Sequence, residues 1–457
     1  MKKIVGKLFF MFAFLLGTMF AVVSCNDDDK IDDPTNGGGP GLTLLTPDQE
    51  KQNLEDIGVS LSGEINPTNY QSLIIAIKDF SSLSSNSDLT LRGAKLRSTT
   101  QSIESVIVEN DLGDMMSLLR SGVANEYYTE MYASYSYNAL TMQWDSIGNS
   151  TALVFNYSSQ EQQAQISLQV SGDYFTFEEE GVTVYVPKTF TYSLKLGSTV
   201  LLTFTVNVSS FNRTTGVVAS SAELSVPAAN LTWYATSSVT STSSTAGAGV
   251  KKGTANLISA TATITGTNMS TDTVYTPEFV NNFNKGTVRI NVKDRLYLIA
   301  ECSDFAAYAN AVQDIETQHP EVDTYSYSYD PVSSTTTQTY GYYYPEAYYQ
   351  QMANLNNQYI SAYFNYDNSV TQVAKLFFDY TYDVRPETNT YSSGTPPYVY
   401  TYIYSNTNDY SEIIPGIQFA VDGSKFSFSE YFNDNDFASF ITSLQDLADT
   451  FEGYVNN

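Results

Sequence analysis

The sequence predicts an α+β protein: an antiparallel, curved β-sheet built from hairpins, with N-terminal helices and a C-terminal amphipathic helix packed on it. Two patterns lead to this prediction. Apolar residues recur at helical spacing near both ends of the chain, and they alternate with polar residues across most of the middle. Because helices flank hairpins without a regular strand–helix alternation, the pattern favours α+β over a parallel α/β fold.

Three helices are predicted between residue 42 and residue 119. The segment Thr46-Pro47-Asp48-Gln49 has the residues of a capping box, with Pro at the first helical position. A second helix is predicted after Asn66-Pro67, and a third over 112–119. The apolar face of the second helix consists of Tyr70, Leu73, Ile74, Ile77 and Phe80.

From about residue 126 the apolar period changes to two, which predicts strands. The most regular hairpin spans 190–208 and turns at Gly197-Ser198, a pair that suits a type II′ turn. Two further hairpins are predicted to turn at Lys293-Asp294 and at Asp422-Gly423. The segment 237–253 is rich in Ser, Thr and Gly and predicts a long flexible loop.

Helices return in the second half of the chain. The spacing predicts one over 305–315, directly after a strand in which Cys302 is expected to be buried, and another from Pro345. The C-terminal helix has the longest apolar stripe, and we expect it to dock on the sheet. The residues of that stripe are Phe437, Phe440, Ile441, Leu444, Leu447, Phe451 and Tyr454.

The charge balance excludes some functions. The chain has 49 acidic and 22 basic residues and a formal net charge of −27, whereas nucleic-acid binding needs clustered Lys and Arg. Its single histidine, His319, precedes Pro320 in a segment that predicts an exposed loop. An imidazole metal site or a His-activated nucleophile would have to use it. We therefore predict no nucleic-acid partner, no metal, no cofactor and no catalytic residue.

The first 25 residues have the pattern of an export signal. Lys2, Lys3 and Lys7 precede the apolar run 8–23, which is shorter than the roughly 20 residues of a membrane-spanning helix. The run ends at Val22-Val23-Ser24-Cys25, which resembles the lipobox of bacterial lipoproteins. The resemblance implies that residues 1–24 are removed and that fatty acids such as palmitate on Cys25 anchor the chain in a membrane.

Acidic residues follow the lipobox directly. Asn26, Asp27, Asp28 and Asp29 resemble the export signal of surface-exposed lipoproteins of the Bacteroidota. That resemblance implies a position in the outer membrane, facing the cell exterior. Residues 25–41 then form a flexible acidic and Gly-rich tether. The body is 42–457, either one domain or two with a boundary near 237–285.

Tyrosine is the most distinctive feature of the body, with 36 residues in the chain. Two segments place tyrosines on one face of a strand: Tyr325, Tyr327 and Tyr329 in the first, and Tyr398, Tyr400, Tyr402 and Tyr404 in the second. Such faces stack on sugars or extended peptides at little cost in conformational entropy. Tyrosine is also a good strand former, so the rings could instead cover a sheet.

The function favoured by these patterns is non-catalytic binding of a glycan or another envelope protein through the tyrosine strands. One alternative is a carboxylate-based polysaccharide hydrolase, which predicts two acids in a cleft lined by tyrosines. A second alternative is a carrier of an apolar molecule in the concave sheet. It predicts a deep groove lined by Phe, Leu and Met.

Overall fold

The computed structural model describes residues 44–86, 132–179, 182–212, 215–269, 282–302, 304–366, 372–395, 398–432 and 436–456. Strands make up 56% and helices 26% of these residues, so the α+β class is confirmed with the sheet as the larger part. The leader, the tether and the predicted helix at 112–119 lie outside the described residues.

The α-helices of the described ranges are α1 Pro47–Ser62, α2 Gln71–Asn86, α3 Phe305–Gln318, α4 Glu346–Tyr359, α5 Phe428–Tyr431 and α6 Ala438–Asn456. Side chains cap the starts of α1, α3 and α5, whereas α4 begins after Pro345 without a side-chain cap. Short 3-10 helices span Pro67–Tyr70 and Pro227–Ala229. The capping box at Thr46 is confirmed, since the Thr46 N–H donates to Gln49 Oε1 at 2.9 Å and the Gln49 N–H donates back to the Thr46 hydroxyl.

The strands follow the predicted change of period. They are β1 Ala133–Asn138, β2 Gln143–Asn149, β3 Leu153–Ser159, β4 Gln162–Glu179, β5 Val182–Leu196, β6 Thr199–Asn212, β7 Val217–Val226, β8 Leu231–Val239, β9 Ser243–Lys252, β10 Ala255–Gly266, β11 Phe283–Val292, β12 Leu296–Cys302, β13 Val322–Asp330, β14 Thr335–Tyr343, β15 Ser361–Tyr366, β16 Ala374–Thr381, β17 Val384–Thr395, β18 Tyr398–Asp409, β19 Glu412–Phe419 and β20 Lys425–Ser427.

These strands form two sheets. Sixteen of them make an open sheet in the order β2-β1-β3-β4-β5-β6-β7-β8-β9-β10-β11-β12-β15-β16-β19-β20. Its described neighbours are antiparallel except β1 and β3. The other four make a separate sheet in the order β13-β14-β18-β17, where two hairpins lie side by side and β14 runs parallel to β18. The strong curvature expected from the sequence stays a prediction.

All three predicted hairpins are confirmed. Gly197 has φ +58° in the two-residue loop between β5 and β6, as a II′ turn requires at this position. Lys293 and Asp294 have φ +55° and +52° between β11 and β12. Gly423, at φ +73°, lies between β19 and β20. The last hairpin is shorter than predicted, because Phe428 already begins α5.

The long flexible loop predicted at 237–253 is wrong. Only residues 240–242 separate β8 from β9, and the small residues are part of a strand. A Cβ atom on Gly249 would lie 2.6 Å from the Tyr234 hydroxyl and 2.5 Å from the Ile258 carbonyl, so Gly249 makes room for a neighbouring ring. Strand pairing is continuous from β8 to β11, and the number of folding domains stays a prediction.

The core lies where the N-terminal helices meet the large sheet. Ile57 and Ala76 from α1 and α2 belong to one buried cluster with Leu194 of β5. The Tyr157 hydroxyl donates to the Ala76 carbonyl at 2.8 Å, which ties β3 to α2 inside this core. Cys302 is buried, as predicted.

The C-terminal helix packs against the N-terminal helices. The Phe451 ring lies 5.4 Å from the Tyr70 ring, edge to face. The Ser439 N–H, at the start of α6, donates to Glu55 of α1 at 2.8 Å, so a carboxylate compensates the positive end of the helix. That α6 docks on the sheet itself stays a prediction.

Candidate functional site

The tyrosine strands form the four-stranded sheet, away from the buried core. The β13–β14 hairpin leaves the body between α3 and α4, and the β17–β18 hairpin leaves it between β16 and β19. The first hairpin turns through Asp330-Pro331-Val332-Ser333-Ser334, where Asp330 accepts hydrogen bonds from the Val332 N–H at 2.9 Å and from the Ser333 hydroxyl at 2.5 Å. These bonds lower the pKa of Asp330, so it stays ionised.

The strand register places the tyrosines of both hairpins on one face. Residues opposite each other in a ladder point to the same side of a sheet. Tyr327 is opposite Gln338, which in turn is beside Tyr404. We call this side of the four-stranded sheet the tyrosine face. Its tyrosines are Tyr325, Tyr327, Tyr329, Tyr340, Tyr342, Tyr391, Tyr400, Tyr402 and Tyr404.

The rings of this face are in solvent and touch each other. Their exposed fractions range from 38% to 63%, so they do not serve as a buried core. Tyr402 and Tyr404 lie nearly parallel with centroids 6.5 Å apart, and Tyr391 meets Tyr404 edge to face at 6.0 Å. Tyr325 lies 5.3 Å from Tyr340 across β13 and β14. Such contacts hold the rings in position and leave their other sides available.

The opposite side of the same sheet is made of small polar residues. Alternation places Ser326, Thr337 and Thr390 there, together with Ile403. Two hydroxyl pairs bridge β17 and β18 on this side: Thr388 with Ser405 at 3.2 Å and Ser392 with Thr401 at 3.4 Å. Cross-strand hydroxyl pairs stabilise a sheet without an apolar layer, so the strands can support an exposed face.

One carboxylate joins this sheet to the body. Asp409, at the end of β18, accepts hydrogen bonds from the Tyr344 N–H at 3.0 Å, the Tyr349 hydroxyl at 2.8 Å and the Ser411 N–H at 2.9 Å. Burial raises the pKa of Asp409, but hydrogen bonds from Ser411 and Tyr349 outweigh burial and leave the pKa below its ordinary value. Burial, and then the Asp409 carboxylate, raise the pKa of Tyr349.

The structure brings most of the predicted tyrosines together. Tyr325, Tyr327 and Tyr329 share a face with Tyr400, Tyr402 and Tyr404, because β14 lies between their strands. The backbone of Tyr398 begins β18. The side chain of Tyr398 lies outside the described part of the chain, as do Cys25, Asn26, Asp27, Asp28 and Asp29.

Sequence reasoning missed three members of the face: Tyr340, Tyr342 and Tyr391. Tyr340-Gly341-Tyr342 shows the same alternation as the segments that were recognised, so this signal was available. Tyr391 has no tyrosine two positions away on either side. Its place beside Tyr402 depends on the pairing of β17 with β18, which its local sequence does not encode.

His319 differs from the prediction. His319 directly follows α3 as its C-cap and is half-buried, and its Nε2 lies 2.7 Å from Nε2 of Gln351 on α4, so it is not an exposed residue. The helices α3 and α4 pack against each other, with the Tyr308 and Tyr359 rings 6.0 Å apart, and Gln351 of α4 reaches His319. Within the described residues, no three His, Cys, Asp or Glu side chains converge as metal ligands would.

An open depression of 430 Å³ lies along α6. It is lined by Ala438, Ser439, Thr442, Ser443 and Asp446. This lining contains one acid and no aromatic ring, so it matches neither the cleft of the hydrolase alternative nor the apolar groove of the carrier alternative.

Comparisons with known proteins give no relative for this site. No family model, curated protein or solved structure matches the chain. None of the helices in the described ranges has the length and hydrophobicity needed to cross a bilayer.

Proposed function

We propose that the protein is a lipoprotein, anchored in the outer membrane through Cys25 and displayed at the cell surface, whose tyrosine face binds a glycan. The observation that carries the binding role is the convergence of two distant tyrosine segments on one solvent-exposed face. The leader pattern supports the location.

The chemistry of the face favours sugars. A tyrosine ring offers an apolar surface for the C–H side of a sugar and a hydroxyl for its polar edge, and it loses little rotamer entropy on binding. Gln338, Asn389 and Asn406 lie among the rings on the same face and can donate to and accept from sugar hydroxyls. The face therefore combines the two kinds of contact that carbohydrate recognition needs.

The test of binding is the double variant Tyr400→Ala with Tyr402→Ala. Removing two stacking rings is expected to weaken glycan affinity at least tenfold, since each ring contributes about 1 kcal/mol. The measurement is a glycan-array screen followed by calorimetry with the purified full chain. Thr390→Ala, on the opposite side of the same sheet, is the control and should bind normally. Equal loss in both variants, or a collapse of stability in the double variant, would favour a structural role for the rings.

The test of the anchor is Cys25→Ala. Because the acyl chains are expected to be on this residue, the variant should leave the membrane fraction, whereas a chain with Cys302→Ala should remain in it. Replacing Asp27, Asp28 and Asp29 with Ala should abolish protease accessibility on intact cells. Persistent membrane association of Cys25→Ala would contradict the proposed anchor.

A further inference from the structure

The tyrosine face has a groove that runs along β14. Two rows of tyrosine rings, on β13 and β18, flank the shorter side chains of β14. Tyr327 and Tyr404 stand on either side of Gln338, and Tyr329 and Tyr402 stand on either side of Thr336. We call this arrangement the tyrosine trough, with Thr336 and Gln338 as its floor.

One end of the trough is closed. Tyr340 follows Gln338 on the same face of β14, and its ring lies 5.3 Å from that of Tyr325. The Gln338 amide donates to the Tyr340 hydroxyl, which orients the amide of the floor. The opposite end leads to the β13–β14 turn. A ligand lying in the trough would therefore run along β14 and stop at Tyr340.

The width of the trough suits one chain. The walls stand on strands two positions apart, so their backbones are separated by roughly 10 Å, twice the spacing of neighbouring strands. After the rings take their van der Waals thickness, the gap accepts one sugar ring between aromatic walls and leaves no room for two chains side by side.

The charges of the sheet select against anionic ligands. Residues 325–329, 335–343 and 388–408 contain no charged side chain. Asp323, Glu387 and Arg385 lie on the tyrosine face at its margin, and the charge of Arg385 is balanced by its ion pair with Asp383. A carboxylate or sulfate in the trough would meet no cation and would be repelled by the margin.

The backbone of the floor does not bind a peptide by strand addition. β14 is paired on both sides, with β13 and with β18, so its N–H and C=O groups are already used. A peptide that binds as an added strand needs an open edge, and the edges of this sheet are β13 and β17, outside the floor of the trough. A glycan needs only ring faces and side-chain donors and acceptors, which the trough supplies.

We infer that the tyrosine trough binds a single extended, uncharged glycan chain that runs along β14, with its sugar rings between the tyrosine rows and its hydroxyls on Gln338 and Thr336. This inference rests on the proposed function and adds the place, the direction and the charge of the ligand.

The experiment is calorimetry on the full chain with linear hexasaccharides. The neutral probes are cello-, xylo-, manno- and maltohexaose, and hexagalacturonate is the acidic probe. At least one neutral probe should bind, and the acidic probe should bind at least tenfold more weakly. Gln338→Ala should weaken the neutral probe about tenfold, and Tyr327→Ala with Tyr404→Ala should weaken it further.

Two controls isolate the trough. Thr337→Ala changes β14 and Thr390→Ala changes β17, both on the side of the sheet opposite the rings; both variants should bind within twofold of the parent chain. Equal affinity of the parent chain and Gln338→Ala for the neutral probe, or tighter binding of hexagalacturonate than of the neutral probes, would overturn the trough while leaving glycan binding in place. No binding of any hexasaccharide by the parent chain would overturn the proposed function as well.

Discussion

In the sixteen-stranded sheet several large side chains belong to a buried core that they share with the N-terminal helices, whereas in the four-stranded sheet the large side chains are in solvent. Tyr157 and Tyr192 of the large sheet are 4% and 5% exposed, and burial raises the pKa of both. Tyr402 and Tyr404 of the small sheet are 39% and 38% exposed. Both pairs follow the same alternating pattern along their strands. Alternation therefore predicts which side chains share one side of a strand. Whether that side is buried or exposed depends on the elements that pack against it.

The polar sides differ less than the aromatic ones. In the large sheet Ser167 and Ser193 share a hydrogen bond of 2.8 Å across β4 and β5, much as Thr388 and Ser405 do in the small sheet. Small hydroxyl residues therefore serve both sheets in the same way. What separates the two regions is the helical layer, which covers one sheet and is not seen over the other among the described residues.

The largest expected effect comes from Leu194→Ala. Leu194 is fully buried in β5, so the truncation should lower the free energy of unfolding by about 3 kcal/mol, through lost transfer energy and the cavity left behind. Chemical unfolding of the parent and variant chains measures the difference.

The matched variant in the small sheet is Ile403→Ala. Ile403 lies on the side of β18 opposite the rings and is half-buried, so its truncation should cost less than about 1.5 kcal/mol. Equal losses of unfolding free energy in Leu194→Ala and Ile403→Ala would contradict the difference between the two sheets, because Ile403 would then be as deeply buried as Leu194.

A smaller, local effect is expected from Asp409→Ala. The variant removes the acceptor of three hydrogen bonds, of which the one from Tyr349 of α4 joins the small sheet to the body, at a cost of about 2 kcal/mol. Hydrogen exchange should quicken in β13, β14, β17 and β18, while β5 and β6 keep their protection.

The control for Asp409→Ala is Asp323→Ala, which removes an exposed carboxylate from β13 and should change stability by less than about 0.5 kcal/mol.

The pH dependence of Asp409 gives a second check. Because the folded pKa of Asp409 is lowered, the contribution of Asp409 to stability should be present near neutral pH and lost as the pH falls through the folded pKa. Uniform loss of protection in both sheets would show one cooperative unit and weaken the distinction between them.

The smallest effect is expected from Glu64→Gln. Glu64 follows α1 and accepts from Lys293 at 2.7 Å and from Lys252 at 2.9 Å, so it joins the helical layer to two turns of the large sheet. These hydrogen bonds lower its pKa from 4.5. The pairs are partly exposed, and the loss at pH 7 should be about 1 kcal/mol.

The pH dependence checks the cause. A lowered folded pKa means that the Glu64 contribution is complete above pH 4.5 and disappears as the pH falls through the folded pKa, so the parent and the variant should converge in acid. Glycan affinity should not change, because Glu64 belongs to the helix-covered region. A difference that persists in acid would point to packing and away from the ion pairs.

Much of the fold could be read from neighbouring residues. The capping box at Thr46 and the turns at Gly197-Ser198 and Lys293-Asp294 depend on interactions within a few residues, and all were predicted. The segment 237–253 was misread because its small residues resemble a linker by composition. A larger side chain at Gly249 would collide with the Tyr234 ring on the neighbouring strand, and this contact is not visible in the local sequence.

Local sequence was sufficient to predict that β13 and β18 carry tyrosine on one side and that α1 begins after Thr46, because side-chain alternation and capping depend on neighbouring residues. It also determined the lack of charge in the middle of the tyrosine strands. Tertiary structure alone places Tyr327 and Tyr404 on either side of Gln338, since that depends on the parallel pairing of β14 with β18, whose partners Gln338 and Tyr404 are 66 residues apart in the chain. It also decided that these rings stay in solvent, because exposure is set by the elements that pack above a strand and not by the strand's own residues.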